Sequence, residues 1–193
     1  MSQGLILAGG FSSRLQRNKM TLPLGGTALI RRTAQTLLAF ADSVVVVTGH
    51  YHDDIEEALR GLPRLTLVRN RGYERGMFSS IQYGARFLSP ENDFFILPGD
   101  VPLVAKTTYE RLLAAEGDVR IPVCENRRGH PAFFSRRLLP ELVKENPESN
   151  LRIFEGKFPV VLVDVDDEGI LLDVDTEADY EALLRHFERG KTA

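Results

Sequence analysis

The sequence predicts an α/β fold in which a mostly parallel sheet carries helices on both faces. Three observations predict it. Short β-branched or aliphatic runs alternate with longer segments of helical period, the pattern of strand–helix–strand units. The runs are near-continuously apolar, as strands buried on both faces are. No linker, internal repeat or low-complexity tract interrupts the series, so residues 1–193 read as one domain.

The series opens with GLIL at 4–7. Thr27 is the expected N-cap of a helix over 28–40, which leads into SVVVVT at 43–48. Asp53 or Asp54 opens a short helix closed by Gly61, ahead of LTLVR at 65–69. A helix over 79–88, stopped by Pro90, precedes DFFILP at 93–98. Helices over 107–115 and 135–145 flank VRIPV at 119–123, and PVVLVDV at 159–165 is the last strand. T-E-A-D, beginning at Thr176, supplies a capping box for a final helix carrying Tyr180, Leu183 and Leu184 inward, with residues 189–193 expected to fray.

Composition excludes several classes. Hydrophobic residues make up 43% and charged residues 26%, close to globular usage, so the chain is neither disordered nor fibrous. A net charge of -3 gives no global field for nucleic acid or an anionic membrane, so any anion binding must be local. The lone Cys124 has no internal disulfide partner, the N-terminus lacks a signal-peptide pattern, and no apolar run approaches the ~20 residues of a membrane span. A cytoplasmic protein is expected.

Ligands of an open α/β sheet bind beyond the carboxyl ends of its strands, and polar motifs concentrate there. After the first strand comes LAGGFSSRLQRNK, in which Gly9 and Gly10 allow a tight turn that points N–H groups at a phosphate, with Arg14 and Lys19 as cations. It matches neither G-x-G-x-x-G nor G-x-x-x-x-G-K-[ST], and a solvated glycine-rich turn is the plain alternative. Asp100 sits in PGDVPLV at another strand end, where a carboxylate suits a divalent cation shared with substrate phosphates. Asp173 and Asp175 in DVDT share one face by period-2 alternation, and either could pair with Asp100 across a metal. The competing reading makes all three caps or turn residues.

NRGYERGMFSSIQYG, residues 70–84, follows a strand and enters a helix at Ser79 or Ser80, where free N–H groups and hydroxyls suit an anion or a base edge. RRGHP, residues 127–131, is a glycine-containing loop in which His130 reads as a hydrogen-bonded loop residue. His50, His52 and His186 have no zinc spacing, and neither a G-x-S-x-G elbow nor a partner set for Cys124 supports nucleophilic hydrolysis.

LAGGFSSRLQRNK, GMFSSIQYG, LPGDVP and DVDTEADY, in that order, resemble the NTP transferases that add a nucleotide to the molybdenum cofactor, the cytidylyl- and guanylyltransferases of molybdopterin. The resemblance covers roughly residues 4 to 184. It implies a GT-A-like, Rossmann-like fold, an NTP (CTP or GTP), Mg²⁺, and a phosphorylated small-molecule acceptor such as molybdopterin, with a molybdoenzyme or its chaperone as protein partner. It places Leu7, Ala8, Gly9, Gly10, Ser12, Ser13, Arg14 and Lys19 on the triphosphate and Gly76, Ser79 and Ser80 on base and ribose. It places Asp100 and Asp175 on the metal, with Asp173 as a weaker second ligand, and Gly129 and His130 facing the acceptor. The expected catalytic set is Arg14, Lys19 and Asp100.

Where the family commonly reads R-M-G, this chain has Arg14, Leu15 and Gln16. LAGG resembles the guanylyl branch, whereas GMFSSIQYG and RGHP resemble the cytidylyl branch, so two features of three imply CTP. The expected reaction is attack by an acceptor phosphate oxygen on the α-phosphorus with release of pyrophosphate. A guanylyl or sugar-phosphate transferase, and a nucleotide-binding module without turnover, are the alternatives.

Overall fold

The computed structural model describes residues 1–15 and 17–192, so the Gln16 departure lies outside the described residues. The first half of the chain forms β1 (Ser2–Ala8), a small hairpin of β2 (Pro23–Leu24) and β3 (Thr27–Ala28), α1 (Leu29–Leu38), β4 (Ser43–Thr48), α2 (His52–Leu59), β5 (Leu65–Arg69) and α3 (Met77–Ala85). The second half forms β6 (Asp93–Pro98), α4 (Lys106–Ala114), β7 (Val119–Cys124), β8 (Arg127–Arg128), β9 (Ala132–Phe134), α5 (Leu139–Lys144), α6 (Leu151–Glu155), β10 (Val160–Asp164) and α7 (Glu177–Thr192).

The main sheet runs β5-β4-β1-β6-β9-β7-β10, with β8 paired to β7. Every pairing is parallel except those of β9 and β8, so the expected mostly parallel sheet is present. Its central strands alternate between two cores. Ile6, Val46 and Leu97 face Leu37 of α1, Ile55 of α2 and Leu112 of α4. Leu5, Leu7 and Val47 face Ile81 of α3, Leu142 of α5 and Phe154 of α6. Helices thus cover both faces, which explains why these strands are apolar at successive positions.

From β1 the chain builds outward through β4 and β5, then returns to place β6 on the other side of β1. That reversal is a topological switch point, and it opens a crevice at the carboxyl ends of β1 and β6. A third apolar cluster closes one side of it: Leu15, Leu22, Leu24 and Leu29 pack with Val174, Tyr180 and Leu183. The first loop is thereby pinned against α7.

Several boundaries differ from the sequence expectations. Thr27 is not an N-cap, because Gly25 and Gly26, at φ +59° and +79°, turn the chain into the β2–β3 hairpin. α1 therefore begins at Leu29, with Ala28 as a cap lacking side-chain hydrogen bonding. Asp53 and Asp54 lie in the first turn of α2, behind Tyr51 at the cap, where their charge still opposes the helix dipole favourably. α3 starts at Met77, because Gly76 at φ +96° sets its entry. The segment 135–145 begins as a single 3₁₀ turn before α5.

The strand β9 was not anticipated, since AFF is too short for alternation to register and its antiparallel pairing with β6 and β7 is non-local. The capping box forms as expected, with Thr176 N donating to Asp179 Oδ2 at 2.7 Å and Asp179 N to Thr176 Oγ1 at 3.3 Å. α7 runs past Arg189 to Thr192, and Ala193 lies outside the described residues. Among the described residues no helix is long and apolar enough to cross a membrane.

Gly84 shows how closely α3 meets the sheet. A Cβ there would overlap Val47 and Leu5, both fully buried. Gly84→Ala is expected to lower unfolding free energy by about 1–3 kcal/mol. A urea titration checks this; an unchanged midpoint would show that the contact yields.

Candidate active site

The loop after β1 is folded by its own polar groups. Ser12, at φ +50°, accepts from Leu15 N through its carbonyl and from Lys19 N through Oγ at 3.3 Å, while Leu15 anchors the loop in the third cluster. Asn18 Oδ1 caps the following 3₁₀ turn by accepting from Met20 N at 3.1 Å. These bonds present Lys19 to the crevice. Ser13 and Arg14 stand on the exposed outer side of the turn.

Lys19 meets two carboxylates from distant parts of the chain. Its Nζ lies 2.6 Å from Asp100 Oδ2 and 2.8 Å from Asp175 Oδ1. Arg14 Nη2 donates to the other oxygen of Asp175 at 2.8 Å, and Val174 N donates to Asp100 Oδ2 at 3.3 Å. Asp100 is only 2% exposed, so its charge needs these partners. Residues 173–175 form no strand, yet the local path brings carboxylate oxygens of Asp100, Asp173 and Asp175 within 4.8 Å of one another.

Beside this ionic group lies a cavity of about 330 Å³ at the switch point. Leu7, Gly9, Gly10, Lys19, Gly76, Ser80 and Asp100 line it, as do Phe11, Met20, Tyr73, Glu74, Met77 and Pro98. Gly9 lies close to α3: a Cβ would stand 3.2 Å from Ser80 Oγ, tighter than an ordinary contact. Asn70, buried at the end of β5, donates to Ser80 Oγ at 3.1 Å and to Ser79 Oγ at 3.2 Å. Ser79 donates in turn to the Gly76 carbonyl at 2.8 Å, so its hydroxyl is engaged with the backbone rather than with the cavity.

Ala8, Ser12, Ser13, Arg14, Ser79, Asp175, Gly129 and His130 are not on the cavity wall. Gly129 packs where a side chain would collide with Ile170, and His130 N donates to the Ile170 carbonyl at 3.0 Å. The His130 Nδ1 is enclosed without a hydrogen-bond partner among the described residues. Burial holds the ring below the usual histidine pKa, against the pull of the Asp100 charge, so the imidazole is neutral at neutral pH.

The chain as a whole has counterparts among known proteins. A domain described as the MobA-like NTP transferase domain matches residues 4–156. The chain belongs to that family. It is 24% identical over 177 residues to the molybdenum cofactor cytidylyltransferase of Escherichia coli, spanning 91% of this chain and 92% of that protein. It is 28% identical over 195 residues to a probable molybdenum cofactor guanylyltransferase of Carboxydothermus hydrogenoformans, spanning 94% of each. In structure it matches a nucleotidyl transferase from Methanothermobacter with a TM-score of 0.85, covering 98% of this chain and 99% of that one at 24% identity, which shows a shared fold.

Membership makes this protein a nucleotidyltransferase, and its three acids fit the divalent cation such enzymes use. Their oxygens are close enough to converge on one ion. Partial desolvation and then repulsion from Asp100 push the Asp173 carboxyl above its usual pKa. The matched domain ends at residue 156, so Asp173 and Asp175 come from the chain beyond it.

Five wall residues escaped the sequence reading: Phe11, Met20, Tyr73, Met77 and Pro98 are apolar or aromatic and carry no chemical signature singly. Glu74 also escaped, as one charge among several in a polar stretch. For Phe11, Tyr73, Glu74 and Pro98 the signal that could have found them is position, since each lies at the carboxyl end of a strand or a few residues past it.

The ionic group sets a pH dependence. Desolvation opposes the Lys19 charge, but Asp100 and then Asp175 outweigh it and raise the ammonium above its usual pKa of 10.5. The hydrogen bond from Lys19 holds Asp175 below its usual 3.8. The Lys19 contribution is therefore complete below pH 10.5 and lost as pH rises through its higher folded value. The Asp175 contribution is complete above pH 3.8 and lost as pH falls through its lower folded value. In urea titrations without metal, Lys19→Met should be less stable than the wild type at neutral pH, and the gap should narrow as pH rises above 10.5 and as pH falls into the carboxylate range, where Asp173 also titrates. A variant as stable as the wild type at neutral pH would contradict the pairing.

Proposed function

We propose that this nucleotidyltransferase moves a cytidylyl group from CTP to the phosphate of molybdopterin and releases pyrophosphate, with residues 1–193 acting as one domain. The observation that carries this reading is the Lys19–Asp100–Asp175 group at the edge of a cavity built on Gly9 and Gly10 at the switch point. Nucleotide phosphates bind at such loops because backbone N–H groups and a nearby cation meet their charge without a dedicated pocket for each oxygen.

In this reading Gly9 and Gly10 let the phosphates approach the backbone, and Ser12 and Ser13 stand beside them. Arg14 and Lys19 hold the phosphate charge. Asp100 and Asp175 hold Mg²⁺, with Asp173 as third acid; the ion would neutralise charge on the α-phosphate and leaving oxygens. Lys19, paired with both acids in the free protein, is released toward the phosphates when those acids are otherwise engaged. Gly76, Ser79 and Ser80 border base and ribose, with Ser79 acting through the backbone turn it closes.

An acceptor phosphate oxygen forms a bond to the α-phosphorus as the bond to the pyrophosphate oxygen breaks, so no covalent enzyme intermediate is required. Gly129 and the neutral His130 face the acceptor, and a molybdoenzyme or its chaperone is the proposed recipient of the product. The cytidylyl choice rests on GMFSSIQYG and RGHP and on the Escherichia coli relative. The guanylyl alternative is supported by LAGG and by the relative from Carboxydothermus.

Pyrophosphate release with Mg²⁺, CTP against GTP, with and without molybdopterin, tests the reaction. Release should require both acceptor and metal. Asp100→Asn and Lys19→Ala should each keep the circular dichroism spectrum and lose roughly 10²- to 10³-fold in kcat, the cost of one group that stabilises developing charge. Wild-type turnover in either variant removes that residue from the reaction, and release without acceptor removes molybdopterin.

A further inference from the structure

We infer that Glu74 reads the base of the nucleotide, selecting one that carries an exocyclic amino group over uracil; this rests on the transferase reading above. The cavity lining is of two kinds. Lys19 and Asp100 are a paired ionic group, Phe11 and Tyr73 are aromatic rings in contact, and Met77 is apolar. Of the described residues lining it, only Asp100 and Glu74 are acidic, and Glu74 comes from the Tyr73–Arg75 turn that follows β5, remote in the sheet from β6 and Asp100.

The apolar part of the lining suits a flat ring. The Phe11 and Tyr73 ring centroids lie 5.1 Å apart at 59°, and Phe11 is 45% and Met77 61% exposed. Exposed apolar side chains gathered at a cavity mouth gain by covering one another's surface with a ligand's face. Glu74 then supplies the polar edge that such a surface lacks.

Glu74 is exposed, on a backbone turn that is itself fixed. Its turn is closed by Gly76 N donating to the Tyr73 carbonyl at 3.1 Å and by Gly72 N donating to Asn70 Oδ1 at 2.9 Å. Although Arg75 adjoins it, that guanidinium turns back to the Gly72 carbonyl, and Glu74 has no hydrogen bond or ion pair among the described residues. A carboxylate at this place would repel a triphosphate, and being exposed it can accept from the edge of a base instead.

An ionised carboxylate only accepts hydrogen bonds. The amino group of cytosine donates to it, as do the adjacent N–H groups of guanine, whereas uracil would bring a carbonyl oxygen to the same edge. A well-formed contact of this kind discriminates by roughly 5- to 150-fold, the equivalent of about 1–3 kcal/mol.

Calorimetric titration of the wild type, Glu74→Gln and Glu74→Ala with CTP, GTP and UTP in Mg²⁺, without acceptor, tests the assignment. The wild type should bind CTP, GTP or both tighter than UTP by that factor. Glu74→Gln, whose amide can also donate, should weaken the amino bases, strengthen UTP and close the gap. Glu74→Ala should close it by loss alone, and pyrophosphate binding should be the same in all three. A wild type that does not disfavour UTP, or variants that keep its ranking, overturns the role of Glu74 while leaving the transferase reading intact. A wild type that binds no triphosphate overturns both.

Discussion

The buried charge of Asp100 is the constraint around which the site is arranged. A carboxylate 2% exposed at the end of a central strand is costly unless a cation and hydrogen-bond donors meet it. Lys19 and Val174 N meet it here, from segments 81 residues before and 74 residues after it in the chain. One electrostatic requirement therefore joins the loop after β1, the end of β6 and the approach to α7. The same requirement makes the site responsive, because a group that needs one cation can exchange it for another.

Apolar packing keeps those segments in reach. Leu15 and Leu22 from the first loop share a cluster with Val174, Tyr180 and Leu183, and Tyr180 donates to the Pro23 carbonyl. At the rim, Arg17 bonds both carboxylate oxygens of Glu177 at 2.7 Å, an exposed contact that sets orientation more than stability. The chain beyond the matched family domain is thus part of the candidate site: it contributes Asp173, Asp175 and the helix that packs against the first loop.

Strand positions were legible because burial on both faces leaves an unmistakable run of Val, Leu and Ile, as in SVVVVT and DFFILP. Helix starts were less so. Thr27 and Asp53 are good capping residues by type, but a Gly-Gly hairpin and the Tyr51 turn placed them elsewhere, which shows tertiary geometry overruling a local preference. β9 was invisible because three residues, Ala132 to Phe134, carry no period, and their pairing joins β6 to β7 across distant sequence.

By itself the sequence determined the α/β class, the strand order of appearance and the chemical types at the strand ends, because periodicity and residue chemistry are local properties. It also marked Gly9, Gly10, Lys19 and Asp100 as candidates, since glycine pairs and isolated charges after apolar runs are visible without coordinates. Only the tertiary structure decided that Lys19 bridges Asp100 and Asp175, that Asp173 joins them, that Ser80 and not Ser79 faces the cavity, and that Phe11, Tyr73 and Glu74 border it. Those relations depend on distances between segments far apart in the chain. Such distances arise from burying two faces of one sheet, and no window of sequence contains them.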